Sequence, residues 1–243
     1  MSVLRAPLKL SREAYQNLVR RLDGGELHPT LIGGEKWYPP DEQDQLAARA
    51  DAELQRVGWR SRDFADVVTL LQRPAVDHYC WARISGRDVT LQAASQGRDA
   101  VLAVADDETV HLFPSSAETA AWDLATALPD TPPVARMHSL SCSEEDYTAV
   151  LAGDAPPSRT NSARDARRAA EWMQLPRVHV GRLYAAVRSG GKRIRNETPP
   201  YWIDTEQGRF IASVSEGWLS VAAASAQDVA HRLQRLESDL RSQ

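Results

Sequence analysis

The chain has 243 residues, of which 42% are hydrophobic and 26% are charged, and its formal net charge is −4. This composition is ordinary for a globular protein with a substantial core, and the negative charge argues against a chain built as a whole to hold nucleic acid. No apolar stretch approaches the ~20 residues that span a bilayer, and the N-terminus lacks the apolar region of a signal peptide. We therefore expect a cytoplasmic protein without membrane insertion, whose Cys80 and Cys142 are reduced and buried.

The first third of the chain has the pattern of three helices. Ser11, Asp41 and Ser61 each precede apolar residues at helical spacing, as N-terminal helix caps do. Gly24 and Gly58 follow the first two stretches, and glycine commonly ends helices. A proline beyond the third stretch closes it in the same way.

The period then changes from 3.6 residues to two. Alternating segments rich in valine, leucine and aromatic residues are predicted to be strands at 79–84, 88–94, 99–105 and 109–113. The turns between them are too short for parallel crossovers, so neighbouring strands should be antiparallel. A helix is predicted to follow, from Ser115 or Ser116 to Leu128.

The second half has a similar order of elements. Ser143 begins a short helix, a longer helix spans about 160–174, and Ser225 begins the last helix with Asp228 completing a capping box. Strands are predicted at 178–188, 200–204, 209–214 and 217–222. The Pro-rich and polar stretches at 129–136 and 153–162 are the expected linkers.

Two stretches mark an internal repeat. Gly97-Arg98 and Gly208-Arg209 each open a strand, a turn, a second strand, a serine cap and a helix, and the caps Ser116 and Ser225 lie about 110 residues apart. We therefore predict a single α+β domain over 1–243, with pseudo-repeat halves at about 1–130 and 137–243. Its central antiparallel β-sheet should be flanked by helical subdomains and have a pseudo-two-fold axis.

The stretch RSGGKRIRNETPPYWIDTEQGRF, which begins at Arg188, is open to more than one interpretation. A phosphate-binding loop requires Ser or Thr after the lysine and a helix beyond it, but Arg193 follows Lys192 and more strand follows that. The basic segment 182–195, with Tyr201 and Trp202 to stack on bases, is compatible with a nucleic-acid-binding regulator. A hairpin with solvated charges explains the same residues and is the interpretation that we favour.

Patterns of catalysis and metal binding are not found in the sequence. The six histidines are scattered, and the HExxH, CxxC and GxSxG motifs do not occur. Asp204 reads as a turn residue that hydrogen-bonds nearby amides. We therefore predict no enzyme activity, no catalytic residue, no metal site and no cofactor.

The seven tryptophans fall into two groups. Four of them lie within or beside amphipathic elements and are predicted to be in the core: Trp59, Trp81, Trp122 and Trp172. Tyr201, Trp202 and Trp218 lie near turns or strand ends, where large aromatic side chains often serve as interface anchors. These three are the predicted partner-binding residues, and a core position is the open alternative for each.

The order of these elements resembles a known family over roughly residues 8–240. The pieces that carry the resemblance are LSREAYQNLVRRLDGGELHPTL, DEQDQLAARADAELQRVGW, FADVVTLLQRPAVD, GRDAVLAVADDETVHLFP and AAVRSGGKRIRNETPPYWIDTEQGRFIASVSEGWLSVAAASAQDVAHRLQRL. The last piece contains a basic turn, a Pro-containing strand, Asp204-Thr205, Gly208-Arg209 and the hairpin Gly217-Trp218 in the family's order. The chain is similar to the EspG family, the cytosolic chaperones of type VII (ESX) secretion.

This resemblance implies a function that involves no catalysis. Members of the family bind cognate PE–PPE heterodimers, cover an apolar helical tip of the PPE partner and keep it soluble for secretion. The expected partner is therefore a PE–PPE heterodimer or a similar helical secretion substrate, bound in a groove between the sheet and the helices of the second half. The chain itself is expected to be a monomer or a homodimer, without nucleic acid as a partner.

Overall fold

The computed structural model describes residues 3–34, 37–60, 62–156 and 161–242. The strands are β1 Leu8–Ser11, β2 Val76–Ile84, β3 Arg87–Gln96, β4 Asp99–Ala105, β5 Thr109–Ser116, β6 Leu140–Ser143, β7 His179–Ser189, β8 Lys192–Arg195, β9 Tyr201–Thr205, β10 Gly208–Ser215 and β11 Trp218–Ala223. The helices are α1 Arg12–Arg21, α2 Pro29–Ile32, α3 Pro40–Val57, α4 Arg62–Gln72, α5 Ala120–Thr126, α6 Glu144–Ala152, α7 Asn161–Met173 and α8 Ala226–Arg241. The fold is α+β, as predicted, and no helix within these ranges is long and apolar enough to cross a bilayer.

The strands of the described residues form one antiparallel sheet whose order is β1-β5-β4-β3-β2-β7-β9-β10-β11-β6. On each side of the central pair β2 and β7, three further strands follow, and the outermost position is taken by β1 or β6, which comes before that half's other strands in the chain. β8 lies off this path and pairs with β7 alone. Both halves therefore follow the same strand path, and their superposition by a rotation near two-fold stays a prediction.

Alternation along the strands divides the core between the two faces of the sheet. On one face, Ala94 and Val101 pack against α1, α3 and α4, while Phe210 and neighbouring apolar residues pack against α6 and α7. On the other face, Ala93 and Leu102 pack against α5 and α8, which also contact each other. The first face thus carries a helical subdomain at each end, and the second face carries a helix pair.

Side chains of the helical subdomains cover both outer edges of the sheet. The amide of Ser11 in β1 points away from β5 and donates to Glu53 Oε1 over 2.8 Å. The amides of Ser141 and Ser143 in β6 point away from β11 and donate to Asp165 Oδ2 at 3.2 Å and Ser162 Oγ at 3.0 Å. One outward-pointing backbone donor of β1 and two of β6 are therefore satisfied by side chains of the protein's own helices.

Local capping signals located several helices correctly. The hydroxyls of Ser11 and Ser143 accept from the amides three residues on, and Ser225 forms a full capping box with Asp228. The predicted cap Ser61 lies outside the described residues. These caps are satisfied within four residues of sequence, which explains why the sequence alone reveals them.

Other boundaries differ from the prediction. The helix predicted from Ser115 or Ser116 is shorter, because both serines belong to β5, and α5 begins only at Ala120. The short strands β1, β6 and β8 were not predicted, since four residues are too few to show an alternating pattern.

A buried ion pair ties the connection between the halves to the sheet. Arg209 Nε and Nη2 lie 2.7 and 2.8 Å from the two carboxylate oxygens of Asp204, and both side chains are at most 2% exposed. Arg209 Nη2 also donates to the carbonyl of Pro129, and Thr131 Oγ1 donates to Asp204 Oδ2. The prediction of Asp204 as a turn residue that bonds nearby amides is therefore wrong, because its carboxylate neutralises an arginine and holds the segment after α5.

Candidate partner-binding site

A groove of about 810 Å³ opens on the face of the sheet that carries the two helical subdomains. Strands β3, β2, β7 and β9 form its floor. One wall contains Arg12 and the segment from Pro29 to Gly34, and the other contains Arg177 and Val180 at the start of β7. This groove lies at the sheet centre, next to the N-terminal subdomain. A smaller one of about 260 Å³ lies between β10, β11 and α8, beside a helix of the second half, and the predicted binding groove stays a prediction.

Three side chains form a row across the groove floor. Trp81 in β2 is opposite Arg182 in β7, and Arg182 is opposite Tyr201 in β9. The Arg182 guanidinium lies 5.1 Å from the centre of the Tyr201 ring, within the range of a cation–π contact. Trp81 is 43% exposed. This aromatic–arginine row offers apolar surface on both sides of a cation.

A second row lies beside it, two residues along the strands. Tyr79 and Tyr184 stack with their ring centres 4.8 Å apart and their planes 7° from parallel. Arg193 lies 5.1 Å over the Tyr79 ring, and Arg195 lies 5.8 Å over the Tyr184 ring. Stacking gives both rings a defined orientation below the groove.

A buried polar cluster joins this second row to the N-terminal subdomain. Asp77 Oδ2 lies 2.6 Å from Arg193 Nη2 and 2.9 Å from His28 Nε2, and His28 Nδ1 lies 2.7 Å from Thr30 Oγ1. Burial alone would raise the pKa of Asp77, but the hydrogen bonds from His28 and Arg193 outweigh it and lower the pKa. The cluster holds the β7–β8 hairpin against α2 and neutralises the cation of Arg193.

The structure separates the three predicted anchors. Tyr201 lies in the groove, but Trp202 is fully buried, and its Nε1 donates to Cys80 Sγ over 3.2 Å. Gly181 is opposite Trp202 and leaves room for the indole, which a Cβ at that position would overlap. The prediction of Trp202 as a surface anchor is therefore corrected to a core residue of the face that carries α5 and α8.

Trp218 lies far from the groove. It is 49% exposed, but it is three residues from Val221, whose side chain packs on the α6–α7 side of β11. Odd spacing along a strand places Trp218 on the opposite face. Tyr201 and Trp218 consequently cannot belong to one contact surface on the groove face.

Trp81 is a groove residue that sequence reasoning assigned to the core. That prediction is wrong for Trp81 and also for Trp122, which is 46% exposed in α5. The available signal was strand alternation, since Cys80 and Ala82 on either side of Trp81 are buried. That alternation separates the two faces of β2, but it does not show which of them the helices leave uncovered.

The two cysteines of the described ranges are protonated thiols. Burial raises the pKa of Cys80 to about 12 and that of Cys142 to about 11, so both remain thiols near neutral pH. Among the described residues there is also no group of three His, Cys, Asp or Glu side chains placed to hold a metal ion.

Comparison with known proteins relates the chain to one protein family. The sequence profile of the EspG family matches residues 11–235. The type VII secretion chaperone EspG5 of Mycobacterium tuberculosis, solved in complex with the PE25–PPE41 dimer, has 14% sequence identity and a TM-score of 0.68, and the match covers 95% of each chain. HtdX of the same organism matches at 11% identity over 91% of this chain and 100% of its own, but its TM-score of 0.14 carries no argument. A search of curated proteins found no match.

Proposed function

The chain belongs to the EspG family, and on that premise we propose that it is a cytoplasmic secretion chaperone. Its substrate is a PE–PPE-type helical pair, which it binds, keeps soluble and delivers to the type VII (ESX) machinery. The observation that carries this proposal is the match of the family profile to residues 11–235, together with a fold like that of a chaperone solved with such a dimer.

The groove provides a surface that can cover an apolar helix tip of the substrate. An apolar helix tip that is exposed to water promotes aggregation until it is covered. The groove offers a half-exposed tryptophan and a tyrosine on the central strands of the sheet, and aromatic side chains of this kind are frequent binding hot spots. A contact of standard size, which buries about 800 Å² on each partner, would include the groove and its rim.

Co-expression tests the proposal. The protein is produced with the PE–PPE pairs encoded in its own genome, and size-exclusion chromatography reports whether a ternary complex forms. A stable complex with a pair that is insoluble alone is the expected result, whereas failure of every pair to bind or to gain solubility contradicts the proposal.

Alanine substitutions then locate the contact. Trp81→Ala and Tyr201→Ala should each weaken binding by about thirtyfold, which corresponds to the roughly 2 kcal/mol of a hot-spot residue. Trp218→Ala is the matched aromatic variant on the opposite face and tests the prediction that it is an anchor. Loss of binding with Trp218→Ala alone would move the site to that face, and unchanged melting temperatures show that the fold is intact.

One observation favours a second candidate function. Aromatic and arginine side chains on an exposed antiparallel sheet also suit stacking on single-stranded nucleic acid. Against this, Asp77 neutralises Arg193, and the chain carries a net charge of −4. The basic segment 182–195 therefore has fewer available cations than its sequence suggests.

A further inference from the structure

We infer that Arg182 binds a carboxylate at the tip of the partner's helix, while apolar side chains beside that carboxylate pack on Trp81 and Tyr201. This inference rests on the proposed function and adds the chemistry of the partner surface. The site is the aromatic–arginine row, and its occupant is an acidic helix tip with apolar neighbours.

Arg182 has no acidic partner of its own in the described residues. Its interactions with Tyr184 and Tyr201 raise the pKa of the guanidinium. It is exposed, and its plane lies close to the ring of Tyr201. A guanidinium already ordered by aromatic contacts loses less side-chain entropy when it meets a carboxylate than a freely moving one.

The charges around the groove point to the same sign of partner. Two acidic residues that line the groove each lie near an arginine. Asp88 lies 3.4 Å from Arg83, and the negative charge of Asp107 acts on the guanidinium of Arg12. Arg177 lies on the wall at the start of β7. Within the described residues, its one hydrogen bond goes to the carbonyl of Met173. The charge that remains without an acidic partner, on Arg182 of the floor and Arg177 of the wall, is therefore positive.

The spacing of the row fits a helix. Neighbouring strands lie about 4.8 Å apart, so the aromatic side chains of β2 and β9 flank Arg182 at nearly equal distances. On a helix, residues three or four apart have Cβ atoms about 5–6 Å apart. An acidic residue with apolar residues three or four positions away can therefore contact the cation and an aromatic ring together.

The experiment measures affinity for the PE–PPE pair identified by co-expression. Isothermal titration at low and at physiological ionic strength compares the wild type with Arg182→Gln and with Arg235→Gln, an exposed arginine of α8 on the opposite face. Arg182→Gln should weaken binding about tenfold or more, as expected for a charge-assisted hydrogen bond, and should reduce the salt dependence. Arg235→Gln should leave both unchanged.

A charge exchange identifies the carboxylate. Arg182→Glu should abolish binding, and a lysine in place of one acidic residue at the partner's helix tip should restore it. Restoration by a single position supports the inference, and failure of every acidic position at the tip to restore binding overturns it.

The remaining outcomes separate the inference from its premise. If the wild type binds a PE–PPE pair and Arg182→Gln binds equally well, the inference is overturned while the proposed function stands. If no pair binds the wild type, both are overturned. If a single-stranded oligonucleotide binds at physiological salt and Arg182→Gln abolishes that binding, the row recognises nucleic acid and the inference is wrong.

Discussion

Replacing Arg209 with methionine tests the buried ion pair that holds the connection between the halves. The substitution keeps most of the side-chain volume but leaves the carboxylate of Asp204 with the hydroxyl of Thr131 as its remaining side-chain partner, in a site that is about 1% exposed. Removing one partner of a buried pair costs about 3–5 kcal/mol, because the other charge stays buried without compensation. In a chain of this length, that loss lowers the melting temperature by roughly 10 °C.

Guanidinium unfolding followed by tryptophan fluorescence measures the loss. The double variant Arg209→Met/Asp204→Asn should lose less than the sum of the single variants, because it leaves no buried charge. Arg83→Met is the matched control, since its ion pair with Asp88 is mostly exposed and should contribute less than about 1 kcal/mol. A loss below about 1 kcal/mol for Arg209→Met, or strict additivity in the double variant, would refute the reasoning.

Three further predictions concern other parts of the chain. Although burial raises the pKa of Asp77, its two side-chain hydrogen bonds lower it below the ordinary value of 3.8. Its contribution to stability is thus present above that value and lost as the pH falls through the folded pKa, so the difference in unfolding free energy between wild type and Asp77→Asn should shrink in acid. Gly208→Ala should cost about 1–3 kcal/mol in guanidinium unfolding, because φ is +121° and the added Cβ would lie 2.8 Å from a backbone oxygen, whereas Gly86→Ala meets open space and should cost less. Mobility shifts should show only weak oligonucleotide binding that falls steeply with salt, and Lys192→Gln/Arg195→Gln should remove what remains.

The predictable part of the fold is the part that depends on near neighbours in sequence. Ser143 and Ser225 cap helices through amides three residues away, so their patterns are complete within one short window. Strands β3 and β4 were likewise predicted from short apolar runs bounded by turn residues, although the structure buries consecutive positions on both faces, at 91–95 and 100–103.

The unpredicted part depends on pairings across the chain. Trp81 and Trp202 both occur in segments predicted as strands, yet one lies in an open groove and the other in the core, because the helices that cover each face come from distant segments. The sequence places Arg193 among solvated charges, but in the structure it pairs with Asp77, 116 residues earlier in the chain. Such a pair becomes visible only when the register of β2, β7 and β8 is known.

The covered edges of the sheet limit how this protein can associate with other chains. An open strand edge accepts a further strand from any extended polypeptide, including another copy of the same protein. Here a newcomer at β1 would have to displace Glu53 from Ser11, and at β6 it would have to displace Asp165 and Ser162. Growth of the sheet into a filament is thereby opposed at β1 and at β6, so copies of this protein are kept from joining edge to edge there.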